Sequence, residues 1–166
     1  MALPACHQPA KRAEDAMKVS SDLAAGRATG GDEIYLDEPY LSIRWRAIPR
    51  ILYAEWKGFA TSAEFRAALQ VGLRAIRERH VRGYVSDARK AKVVTTEDQI
   101  WVRDVWLPGA VAAGLQRMAM VTAEAGLGKV TVEQVVKEID QHGISMRKFN
   151  SVAAATTWAL TGLGET

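Results

Sequence analysis

The chain reads as an α/β domain: a mixed β-sheet that opens with an antiparallel hairpin, continues with parallel strands and carries four main helices. Three observations predict this. Apolar Leu41, Ile43, Trp45 and Ala47 alternate with Ser42, Arg44 and Arg46, the period-two signature of a half-buried strand, and Ile51 to Trp56 returns as its partner. From Thr61 to Leu160 helical spacing and short apolar runs then take turns, the pattern of strand, crossover helix and strand. Finally, 166 residues with 48% hydrophobic and 25% charged side chains suffice for one closed core.

The elements follow in order. Residues 1–32, rich in Ala, Gly, Ser and alternating charge, lack a periodic apolar stripe and are expected to be a disordered tail, at best a frayed helix over 11–23. Met17 is a candidate start codon within it. One domain is expected over 34–160, beginning with a short edge strand at Ile34, Tyr35 and Leu36. Ile48-Pro49-Arg50 breaks the hairpin strands, because proline cannot donate to a ladder. Residues 61–80 form the clearest helix: Thr61 and Glu64 have capping-box spacing, and Phe65, Leu69, Leu73 and Ile76 form one stripe. Gly83 closes the turn into a strand at 84–86.

A second helix starts at Thr96, with Ile100, Trp101, Val105 and Trp106 toward the core, and Pro108 should end or kink it. A short helical stretch at 110–115, a strand at 118–121 and a third helix at 131–141, with a capping box from Thr131 to Gln134, come next. Residues 145–149 make a last strand, Asn150 or Ser151 caps a final helix, and 161–166 fray.

Charge is uneven along this order. Residues 44–92 hold 12 basic and 4 acidic side chains, whereas 1–43 hold 4 and 7, and 93–166 hold 6 and 8. Such an excess is the footprint of a solvated helix face or of an anionic partner. Nucleic acid is not the expected partner, since the aromatics interleaved there, Trp45, Tyr53, Trp56 and Phe65, fall on predicted core faces. Cys6 stands alone and the three histidines have no ligand spacing, so neither a disulfide, a metal site nor a cofactor is expected. No apolar run reaches the roughly 20 residues that a bilayer span needs, and no secretory signal is visible, so the expected place is the cytoplasm.

The organising stretch is 83–99, where an apolar strand runs into Asp87, a basic loop and an acidic helix start. Ligands of α/β sheets sit at such carboxyl strand ends, where backbone N–H groups are left over. The candidate surface is therefore Asp87, Arg89, Lys90, Thr95, Thr96 and Trp106. On the simpler reading Asp87 accepts backbone N–H bonds and Arg89 pairs with it or with Glu97. Trp101 and Trp106 stand about 140 degrees apart on a regular helix, so either one lies in the core and the other, taken to be Trp106, on the surface or in a dimer contact, or both pack in the core of a helix covered on two sides. Gly126-x-Gly128-Lys129 fails as a phosphate loop, with Ala123 where a glycine is needed and Val130 where a hydroxyl is needed, and reads as a plain loop. No set of residues required for catalysis is visible, and no enzyme is expected.

The hairpin followed by repeated helix and strand is similar to the STAS fold of bacterial anti-sigma-factor antagonists. Residues 40–160 resemble small bacterial STAS-like proteins of unknown role through Tyr53 to Gly58 (Tyr-x-Glu-Trp-x-Gly), Asp87 to Arg89 and Glu97 to Trp101. The resemblance implies a non-enzymatic regulatory domain that binds a protein partner or its own copy. In the antagonists a phosphorylatable serine directly follows the strand-end Asp; here Ala88 does, and the part would pass to Thr95 or Thr96. A second expectation is a small-molecule or lipid pocket, as in the CRAL-TRIO lipid-transfer domains, between the second helix and the sheet.

Overall fold

The computed structural model describes residues 31–123 and 143–163. Strands β1 (Asp32–Asp37), β2 (Leu41–Arg46) and β3 (Ile51–Trp56) precede helix α1 (Ser62–Arg79) and strand β4 (Gly83–Asp87). Helix α2 (Thr96–Trp101) then runs through a π turn (Val102–Trp106) into α3 (Leu107–Ala112) as one helical body. Strands β5 (Arg117–Val121) and β6 (Ser145–Phe149) and helix α4 (Val152–Leu160) complete the described chain. The domain is thus α/β, as the alternation predicts, with three helical bodies among the described residues; the helix expected at 131–141 and the Gly126 to Lys129 loop lie outside them, as do 1–30.

Six strands form one mixed sheet in the order β1-β2-β3-β4-β5-β6. The first three pair antiparallel and the later ones parallel. Because successive side chains on a strand point to opposite faces, β3, β4, β5 and β6 feed two cores, whereas β1 and β2 feed one. Leu41, Ile43, Trp45, Leu52, Ala54, Tyr84, Met118 and Met146 pack with α1 and α3 on one face. Ile51, Tyr53, Val85, Ala119 and Val121 pack with Ala155 and Ala159 of α4 on the other.

Helix α1 forms as its sequence dictates. Thr61 caps it with both halves of the capping box present, and Phe65, Leu69, Leu73 and Ile76 are all buried. The final helix is capped by Ser151, whose side chain accepts from the Ala154 N–H. Gly83 opens β4 beneath that helix: a Cβ there would lie 2.7 Å from the Ala159 carbonyl oxygen, so only glycine lets α4 come this close. The tail expected to fray from Thr161 begins instead with a turn, in which the Thr161 N–H donates to the carbonyls of Thr157 and Trp158.

The middle helix departs from expectation. Helical backbone continues through Pro108, and the regular ladder is interrupted just before it by the π turn, with the Leu107 N–H reaching back to the Val102 carbonyl. Such a turn takes about five residues, which carries Trp106 round to the side that Trp101 faces. Trp106 is consequently only 1% exposed, while Ile100 and Val105, expected inside, are 44% and 50% exposed. The Trp106 indole N–H donates to the Leu69 carbonyl at 2.7 Å and its ring lies 6.2 Å from that of Tyr84.

Candidate functional site

Asp87 ends β4 with its carboxylate almost wholly buried, and it accepts four hydrogen bonds. Its Oδ1 accepts the Arg89 backbone N–H at 3.2 Å and the Arg89 Nε–H at 2.9 Å. Its Oδ2 accepts Arg89 Nη2 at 2.6 Å and the Tyr53 hydroxyl at 3.1 Å. Burial pushes the carboxyl pKa up, but the hydrogen bonds from Arg89 and Tyr53 and the guanidinium charge outweigh it and hold the group below its ordinary value. The same pair acts on Tyr53: burial first, then the Asp87 charge and hydrogen bond, push the phenol up to about 12. Asp87 is therefore an ion-paired carboxylate, and a poor general base. The simple reading of the sequence, Asp87 held by backbone N–H and Arg89, is what the structure contains.

Above this pair lies an open depression of about 300 Å³ lined by Glu55, Trp56, Asp87, Arg89 and Lys90. Glu55 and Asp87 are register partners on adjacent parallel strands, which places both carboxylates at the same edge. Trp56 stacks on Phe65, with ring centroids 5.3 Å apart, and so fixes the wall between the sheet and α1.

The second cluster was missed by sequence reasoning and centres on Asp98, which is 2% exposed. It accepts from Ser62 Oγ at 2.6 Å, Arg66 Nε at 2.7 Å and Thr95 Oγ1 at 2.9 Å. Burial pushes its pKa up, but the hydrogen bonds from Ser62, Arg66 and Thr95 and the charge of Arg66 carry it below the usual range. Thr95 is the N-cap of α2, its side chain accepting from the Asp98 N–H. The local half of this arrangement, Thr-x-x-Asp before an apolar run, is a legible cap signal; the long-range half, from Ser62 and Arg66, has no local signature. Arg66 also lies over the Trp101 ring, 5.5 Å from its centroid.

Of the residues singled out by sequence, Asp87, Arg89 and Lys90 share the depression, and Thr95 and Thr96 start α2 beside it in the chain. Trp106 does not belong with them: the π turn and the bond to Leu69 place it in the core, correcting its assignment to the surface. The exposed aromatic and aliphatic side chains at this edge are others: Phe59 (68%) in the β3–α1 loop, Val93 (84%) in the β4–α2 loop, and Ile100. Among the described residues no group of three or more His, Cys, Asp or Glu is placed to hold a metal ion, and no helix is long and apolar enough to cross a membrane. Set against family models, curated proteins and solved structures, the chain matches none.

Proposed function

We propose that the chain is a non-enzymatic, STAS-like interaction domain that binds a protein partner, or a second copy of itself, through the carboxyl edge of its sheet. The observation that carries this reading is the exposure of Phe59 and Val93, in the loops that follow β3 and β4, and of Ile100 on α2, next to helix starts tied together by the Asp98 cluster. Apolar side chains presented on a braced rim suit a protein interface. The Asp87–Arg89–Tyr53 unit supports the non-enzymatic half of the reading, since a carboxylate with four donors upon it is a weak acceptor for a substrate proton.

The lipid-pocket alternative has less support. The space between the middle helix and the sheet is filled by Trp106, Leu107 and Ala110, all buried, and four of the five residues lining the depression are charged. If the domain is switched by phosphorylation, Thr96 is the better acceptor: the Thr95 hydroxyl is committed to capping α2 and faces Asp98, where a phosphate would meet a second anion.

A photo-crosslinking residue placed at Val93, with another at the exposed Arg74 of α1 as control, tests the surface in cells. A discrete adduct from position 93 and none from position 74 supports the reading, a doubled mass identifying self-association. Equal or absent adducts at both positions count against it.

A further inference from the structure

We propose that the opposite, amino end of the sheet is a second interaction surface, and that it takes the sugar–phosphate backbone of single-stranded nucleic acid. Arg117 opens β5 and Arg147 lies in β6; the register pairs Arg117 with Ser145 and Ala119 with Arg147, so both arginines project from the face that α4 covers. Their guanidinium carbons stand 5.2 and 5.6 Å from the centroid of one indole, that of Trp158. Arg117 is fixed further by its Nη1 bond to the Trp158 carbonyl at 2.9 Å, and Phe149 backs the indole with ring centroids 5.6 Å apart. One strand over, Arg82 precedes β4; its Nη2 donates to Gln116 Oε1 at 3.0 Å and its carbonyl accepts the Gln116 and Arg117 N–H groups. Arg82 and Arg117 thus stand at the entries of two adjacent strands, and Arg147 lies two residues into the next.

The charge here is one-sided. Residues 115–123 and 143–163 hold Arg117, Arg147 and Lys148 and no Asp or Glu. A guanidinium held over an indole keeps N–H donors at its rim, and such a fork grips a phosphate with two parallel hydrogen bonds. Arg147 is exposed, and a guanidinium plane beside an indole is a surface on which a base stacks. This feature favours a nucleic acid over an acidic peptide, which has no ring to add. Within 44–92 the aromatics Trp45, Tyr53 and Phe65 are buried and Trp56 is half-buried, so that segment offers no stacking platform; of the surface proposed only Arg82 belongs to it.

The test is fluorescence anisotropy of a labelled oligothymidine of about ten nucleotides with the full chain across a salt series. The expected result is salt-dependent binding that Arg147→Gln weakens about 3- to 10-fold near 0.1 M salt while lowering the slope of log K against log salt by about 0.7. Arg147→Lys, which keeps the charge but not the stack, should also bind more weakly than the unaltered chain, and Arg74→Gln, the same charge change on exposed α1, should not. Absence of binding by the unaltered chain overturns the proposal. So does an equal loss in Arg74→Gln, which would mean net charge alone, or binding to phosphatidylserine vesicles or a polyglutamate peptide but not to the oligonucleotide.

Discussion

Arg66 of α1 donates its Nε–H to Asp98 of α2 at 2.7 Å, and through that contact the two crossover connections flanking β4 are tied together at the carboxyl edge. Folding lowers the Asp98 pKa, so the folded chain holds its proton less tightly than the unfolded one. The stabilisation from this carboxylate is therefore fully present above its unfolded value near 4 and declines as pH falls through the lower folded value. Asp98→Asn should cost on the order of 2 to 4 kcal/mol at neutral pH, because three donors lose a charged acceptor. Denaturant melts from pH 3 to 7 check this: the loss should shrink toward the acid end, and a pH-independent loss would assign the role to packing.

The two threonines at the head of α2 separate cleanly. Thr95→Ala removes the cap and one donor to Asp98 and should destabilise by about 1 kcal/mol. Thr96→Ala, at an exposed first helical position, should change the melting free energy by less than about 0.5 kcal/mol.

Gly83→Ala places a methyl group 2.7 Å from the Ala159 carbonyl oxygen, a backbone atom that cannot swing aside. The expected cost is about 1 to 3 kcal/mol. Hydrogen exchange should show the α4 amides losing protection first, because the helix and not the central strand is free to retreat.

Trp106→Phe removes the indole donor to Leu69, whose carbonyl also belongs to the α1 ladder, and leaves a gap where the larger ring was among apolar side chains. A loss of roughly 1 to 3 kcal/mol is expected, measured by chemical denaturation. A surface-contact Trp would give almost none.

Ser42 points the other way. It is fully buried and its hydroxyl finds no hydrogen-bond partner. Ser42→Ala should accordingly be neutral or stabilising by up to about 1 kcal/mol in the same melts.

What was legible in the sequence was whatever a short window contains. The alternation around Ile43, the box of Thr61 and Glu64, and the Asp87 strand end each carry their signal within a few residues, and the hairpin, α1 and β4 appear where those signals stand. The π turn carried no such signal: a regular 3.6-residue period turns Val105 inward, and only the pull of the Leu69 carbonyl and the Tyr84 pocket on Trp106 selects the wider turn. Asp98 looked like an ordinary acidic first-turn residue, because Ser62 and Arg66, which bury its charge, lie more than thirty positions away. The exposed rim was hidden for the same reason. Phe59 and Val93 are single apolar residues in loops, and nothing local says that the two loops end adjacent parallel strands.

A partner-binding domain should have its carboxyl rim occupied in the cell. Carbene footprinting by mass spectrometry, comparing the purified chain with the same chain in a concentrated extract of cells that express it, tests this most directly. Labelling of Phe59, Val93 and Ile100 is expected to fall in the extract while Ile48, 81% exposed in the β2–β3 turn, is labelled as before. Unchanged labelling at Val93, or protection at Ile48 instead, would contradict it.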